Sequence, residues 1–83
     1  VNTIQAQTFE NFIQNGDKLY NEELYLESAK EYDKAFEIEN GNAIQYYNAA
    51  CSWALSGNSI QSIKYLNFSA DRRMKIFQAK KSS

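Results

Sequence analysis

Phe12-Ile13-Gln14-Asn15-Gly16-Asp17-Lys18-Leu19 and, 34 positions on, Tyr46-Tyr47-Asn48-Ala49-Ala50-Cys51-Ser52-Trp53 are the two stretches whose comparison decides the fold. At this shift Phe12 falls on Tyr46, Gly16 on Ala50 and Leu19 on Trp53. The match continues outward without a gap: Ser28 on Ser62, Lys30 on Lys64, Tyr32 on Leu66, Ala35 on Ser69. Few identities survive, but large residues match large ones and small match small. Side-chain volume is what close packing constrains, so a conserved size pattern predicts a repeated packing unit.

Each unit reads as two helices. Phe9, Phe12, Ile13, Leu19 and Tyr20 recur at helical spacing behind Thr8, a capping residue. Asn21-Glu22-Glu23 is the expected turn. Tyr25, Ala29, Tyr32, Ala35 and Phe36 mark a second helix, with Asn40-Gly41 expected as its left-handed C-terminal signal. Asn42 is placed to cap a third helix carrying Ile44, Tyr47, Ala50, Cys51, Ala54 and Leu55. Ser56-Gly57-Asn58 is the next turn, and Ser59 the expected cap of a fourth helix. There Ile60, Ile63, Leu66, Ala70, Met74 and Phe77 step by threes and fours with no breaker, which predicts one long helix of roughly 20 residues.

This pattern resembles the tetratricopeptide repeat family over about Phe9 to Asp71. The first unit matches through Phe12, Gly16, Leu19, Tyr20, Tyr25, Ser28, Tyr32 and Ala35, with Asn40 where the family usually has Pro. The second matches through Tyr46 to Cys51, Trp53, Gly57, Ser62, Leu66 and Ser69; the run Tyr47 to Gly57 is similar to repeats common in bacterial proteins. The resemblance implies an all-α fold: two tandem helix-turn-helix hairpins in an α-α superhelix, repeat one over 9–42 and repeat two over 43–76 of a single domain, with the C-terminal helix extended. On this reading Gly16 and Ala50 are small where the paired helix passes close, Ser28, Ser62, Ala35 and Ser69 do the same on the second helices, and Tyr32 and Leu66 fill gaps between helices. A buried Ser at such a site is expected to bond its own helix carbonyl.

The resemblance also implies a concave face built from the first helix of each repeat. That face would present Ile13, Asp17, Tyr20 and Asn21, then Tyr47, Asn48, Cys51 and Leu55. Tyr and Asn combine rigid area with hydrogen bonds, which suits an extended peptide or a partner helix. The family's clamp for a C-terminal carboxylate needs Lys and Asn in its first repeat. Ile13 and Asp17 stand there instead and only Asn48 fits, so that ligand is disfavoured.

Other chemistry finds little support. The chain has no His, which excludes triads and metal sites built on it, and the single Cys51 makes neither a thiolate zinc site nor an internal disulfide. No glycine-rich phosphate loop is present. Carboxylates one turn apart, Glu27 with Glu31 and Asp33 with Glu37, read as solvated surface acids among Lys30 and Lys34. Cys51 and Trp53 read as core fillers. No cofactor is expected, and the chain is expected not to be an enzyme.

Charge is divided along the chain. Residues 1–40 carry nine acids and three bases, a net of −6; residues 41–83 carry Asp71 and six bases, a net of +5. The resulting dipole favours contact with a second copy or with a partner of matching polarity. Met74 and Phe77 lie where a third repeat would sit, so self-association is expected there. The basic end, with Phe68 and Phe77 nearby, suggests nucleic acid or an anionic membrane only weakly, since the first half is acidic. No apolar run approaches the roughly 20 residues of a membrane span. Val1 in place of Met reads as a trimmed chain, and Ile4-Gln5-Ala6 before Gln7 as the tail of a secretory signal within residues 1–7, so a secreted or periplasmic protein is expected; a short tail on a cytoplasmic protein is the alternative. A peptide-binding adaptor, an assembly scaffold and a non-catalytic part of a larger protein are the three classes this leaves.

Overall fold

Thr8 opens the first helix. Its backbone is extended and its hydroxyl oxygen accepts the Asn11 amide at 3.1 Å, satisfying one of the orphan donors of the first turn. The computed structural model describes residues 8–82, so the expected signal remnant in residues 1–7 lies outside the described residues. Four helices account for nearly all of them: α1 (Phe9–Asn21), α2 (Tyr25–Ile38), α3 (Ala43–Leu55) and α4 (Ser59–Ser82). The class is all-α, with no strand among the described residues. None of the described helices is long and apolar enough to cross a membrane.

Local chemistry sets the ends. Asn42 and Gln45 form a reciprocal cap: the Gln45 amide donates to Asn42 Oδ1 at 2.8 Å, and the Asn42 amide donates to Gln45 Oε1 at 2.9 Å. Asn58 caps α4, rather than the Ser59 expected from sequence; its Oδ1 accepts the Gln61 amide at 3.0 Å. Gly57, at φ 95, delivers Asn58 to that position and leaves Ser59 inside the first turn.

The turns after α1 and α3 share one geometry. Leu24 donates to the Leu19 carbonyl and Glu23 to the Tyr20 carbonyl; Asn58 donates to Trp53 and Gly57 to Ala54, all at 2.9–3.0 Å. This paired closure needs a left-handed residue, supplied by Glu23 (φ 64) in the first turn and Gly57 in the second. Glu23 and Gly57 stand 34 positions apart, the same shift that aligns the helices. After α2 the expectation fails. Gly41 is not left-handed, and Glu39 leaves the helix in an extended conformation. Gly41 is small for another reason: a Cβ there would sit 2.5 Å from a ring carbon of Phe36.

Consecutive helices run antiparallel. Tyr20 and Tyr25 meet beside the first turn with ring centroids 5.4 Å apart, and Phe9 and Phe36 meet at the opposite ends, 6.4 Å apart. Between them Tyr32 lies flat on Gly16, where a Cβ would come within 2.6 Å of its ring. Helix α2 then packs on α3, and α3 on α4. Small residues line these crossings: Ser28, Ala29, Ala35, Ala49, Ala50 and Ser52 are essentially inaccessible. Ser28, Ser52 and Ser69 bond across helices instead of to their own. Ser28 donates to the Gly16 carbonyl at 2.7 Å and meets Ser52 at 2.9 Å, and Ser69 donates to the Ala43 carbonyl at 2.8 Å. Each of these hydroxyls thereby ties two elements and is itself paired.

One core position is displaced. Leu66, expected to fill a gap between helices, is 42% exposed, and Tyr65 is buried in its place. One residue rotates a helix position by about 100°. Tyr65 gains from that rotation because its hydroxyl reaches Asp33 on α2 at 2.6 Å while its ring stacks beside Tyr46, 5.9 Å between centroids.

Candidate functional site

Helices α1 and α3 touch directly, and the exposed sides of their contact enclose a hollow of about 540 Å³. Asp17, Tyr20 and Asn21, within one turn of α1, form one wall; Tyr47, Asn48 and Cys51, within one turn of α3, form the other. Tyr32 of α2 forms the floor. Six of the eight residues nominated from sequence for a partner-binding face are thus brought together.

Two are not. Ile13 is 5% exposed and belongs to the apolar core, because one turn before Asp17 the α1 surface has already rotated onto α2 and α3. Leu55 is 54% exposed but lies beyond the hollow, at the last turn of α3. Met74 and Phe77 are exposed on α4 and take no part in it.

The walls are prepared for polar contact. The Tyr32 hydroxyl donates to Asp17 Oδ1, which fixes that carboxylate at the floor and leaves its second oxygen available to a ligand donor. Burial, with the adjacent Asp17 carboxylate, pushes the Tyr32 phenol far above its ordinary range, so it stays a donor at any physiological pH. Tyr47 is half exposed, and the neighbouring Cys51 thiol raises its phenol too, against a smaller opposing pull from Arg73. Cys51 is half-buried, less enclosed than a core filler. Asn48 adds an amide with both donor and acceptor. The hollow therefore offers the rings of Tyr20 and Tyr47 as rigid apolar area over the Tyr32 floor, with two amides, one carboxylate and the Cys51 thiol. That set suits a peptide backbone or a polar helix face. Among the described residues no group of three or more Cys, Asp or Glu is arranged to hold a metal ion.

Tyr32 is the residue of the hollow that sequence reasoning misses. Its spacing assigns it wholly to the core, and its ring does lie there. A buried phenol needs a partner for its hydroxyl, and Asp17, one residue past the glycine beneath its ring, is the signal available.

A second hollow, of about 330 Å³, lies between the C-terminal half of α2 and α4. One oxygen of its Asp33 is committed within the fold. Asp33 accepts both the Trp53 indole N–H at 3.2 Å and the Tyr65 hydroxyl at 2.6 Å. Asp33 is therefore a partly buried link between α2 and the second helix pair, and the expectation of a solvated surface acid fails. Phe36, Tyr46, Tyr65 and Phe68 pack on one another with centroids 4.6–5.9 Å apart, and Lys64 already lies 5.2 Å from the Tyr65 ring. These groups hold the helices together, which leaves the hollow between α1 and α3 as the candidate site. Comparisons with known proteins add no further assignment: no family model, no curated protein and no solved structure matches the chain.

Proposed function

We propose that this chain is a non-catalytic protein-binding module of tetratricopeptide type, two stacked hairpins that take an extended peptide or a partner helix in the hollow between α1 and α3. The observation that carries the reading is the convergence of Asp17, Tyr20, Asn21, Tyr47, Asn48 and Cys51 on one polar, aromatic depression. The repeat reading is supported by the two left-handed turns at Glu23 and Gly57, which keep the spacing of the helices, and by the small residues at each crossing. Tyrosine-rich concave surfaces bind through a few buried anchors, with the surrounding polar groups setting register. Asp17 at the floor selects a ligand that brings a donor or a cation to it.

Selection of random peptides on the immobilised full chain tests this. Peptides are expected to be enriched, and Tyr47→Ala is expected to weaken them at least about tenfold, roughly 1.4 kcal/mol. Tyr47 is half exposed, so the variant keeps its fold. Ile38→Ala, on an exposed position outside the hollow, serves as control. Failure to enrich any peptide, or equal loss from both variants, would rule the hollow out as the binding surface.

A further inference from the structure

Helix α4 buries Ser62, Tyr65 and Ser69 and leaves its larger aliphatic side chains outside. Ile60, Ile63, Leu66, Met74 and Phe77 are all exposed, and Ala70 with them. On the helical projection they form one stripe about 26 Å long, turned away from the side on which Lys64 and Phe68 meet α2. A soluble surface helix ordinarily points such a stripe inward. Here α3 is covered through the serine and tyrosine face, and the stripe has no partner among the described residues.

We infer that the stripe is a two-fold interface, occupied by α4 of a second copy running antiparallel. The order of residues is self-complementary. Turned about a point between Phe68 and Ser69, the helix sets Ile60 against Phe77 of the second copy, Ile63 against Met74, and Leu66 against Ala70 to within one residue. The largest side chain meets a β-branched one at each end, and the small Ala70 leaves room for Leu66 near the centre. An isologous contact requires this: whatever one copy offers at a position, the other must accept at its mirror.

Charge follows the same symmetry. The basic end of α4 passes the partner's turn at Ser56, which borders the hollow formed by Leu26, Trp53 and Ile60. Leu26 is flanked there by the exposed Glu23 and Glu27. Lys81 is thus carried from the basic half of one copy to the acidic half of the other, in agreement with the opposed net charges of the two halves. An anionic membrane fits less well, because the stripe continues to Ile60 and Ile63, past the basic segment. This interface is independent of the hollow between α1 and α3.

Cross-linking tests the register. In a Cys51→Ser background, Ile63→Cys with Met74→Cys in one chain is expected to oxidise to a closed covalent dimer, while either substitution alone gives none. Within one helix these two positions are about 16 Å apart, too far for a disulfide. Sedimentation of the unmodified chain is expected to show a mass rising with concentration toward twice that of one chain. Phe77→Glu is expected to hold it at one, with helix content unchanged by circular dichroism. Cross-linking by the single variants, a ladder of higher species from the double variant, or a strict monomer at millimolar concentration would each overturn the inference. So would binding of the monomeric chain to anionic phosphatidylserine vesicles through the same stripe.

Discussion

Helices α2 and α4 occupy equivalent places, each folded back on the helix before it, and the difference between them shows how much burial depends on a second neighbour. Ser28 and Ser62 are both buried, as are Ala35 and Ser69, so the face toward the preceding helix is the same in both. The other positions diverge. Ala29 is inaccessible because α3 packs on it, whereas Ile63, at the matching position, is 56% exposed. Tyr32 is in the core, and Leu66, its counterpart, is not. Helix α2 is thus enclosed between α1 and α3, while α4 packs along α3 and reaches α2 only from the Tyr65 side. The small residue sits on the covered helix and the large apolar one on the uncovered helix, the reverse of what a free surface favours.

Truncation at the two matching positions gives the sharpest contrast. Tyr32→Ala removes a ring that lies on Gly16 and a hydroxyl bonded to Asp17, and is expected to cost about 3–5 kcal/mol, the range for a large aromatic lost from a core. A chain of this size has only about 4–12 kcal/mol in total, so the variant is expected to lose a large share of its stability. Leu66→Ala is expected to cost less than about 1 kcal/mol when measured in dilute solution. Urea titration of both variants checks this; similar midpoints would mean that the two helices are equally enclosed.

A smaller loss is expected where α2 reaches over to the second helix pair. Asp33→Ala strands the Trp53 indole N–H and the Tyr65 hydroxyl, two partly buried donors on a charged acceptor. The expected cost is about 2–4 kcal/mol. Glu37→Ala, one turn later and exposed, is expected to change stability by less than about 0.5 kcal/mol. Equal effects from the two would place Asp33 among the solvated acids after all.

Asp33 also marks the boundary of what the sequence makes legible. Helix number, order and approximate length follow from apolar spacing, and Thr8 and Asn42 announce their helices because capping is decided within four residues of chain. Asn58 and Ser59 are neighbours with the same capping chemistry, so choosing between them needs the φ of Gly57. Gly41 reads as a left-handed signal because glycine serves both free rotation and close approach, and only the position of Phe36 distinguishes them. Glu23 is the converse: tertiary closure of the turn holds a residue in a region that its own preferences disfavour. At the candidate site Asp17, Tyr20 and Asn21 line one hollow, but Ile13 lies one turn away in the core, and the periodicity cannot say where the neighbouring helix stops. Leu66 and Tyr65 differ by a single step of the helix, and the buried hydrogen bond to Asp33 decides between them.

The two helices share one feature whose effect is felt only in alkali. Each carries a buried tyrosine that donates to an aspartate, Tyr32 to Asp17 and Tyr65 to Asp33. Burial first, then the hydrogen bond to the carboxylate, pushes both phenols well above their ordinary value of 10.0. In the unfolded chain they ionise near that value, while in the fold they keep their protons. Their stabilisation is therefore complete below pH 10 and declines as the pH climbs from there toward the folded values, since only the unfolded state then gains by losing protons. Tyr65→Phe is expected to cost about 1 kcal/mol at pH 7, the net worth of its hydrogen bond, and to flatten the fall in melting temperature between pH 9 and pH 11.5. Retention of the full alkaline fall in Tyr65→Phe would assign it to Tyr32 alone, and with it the tighter enclosure to α2.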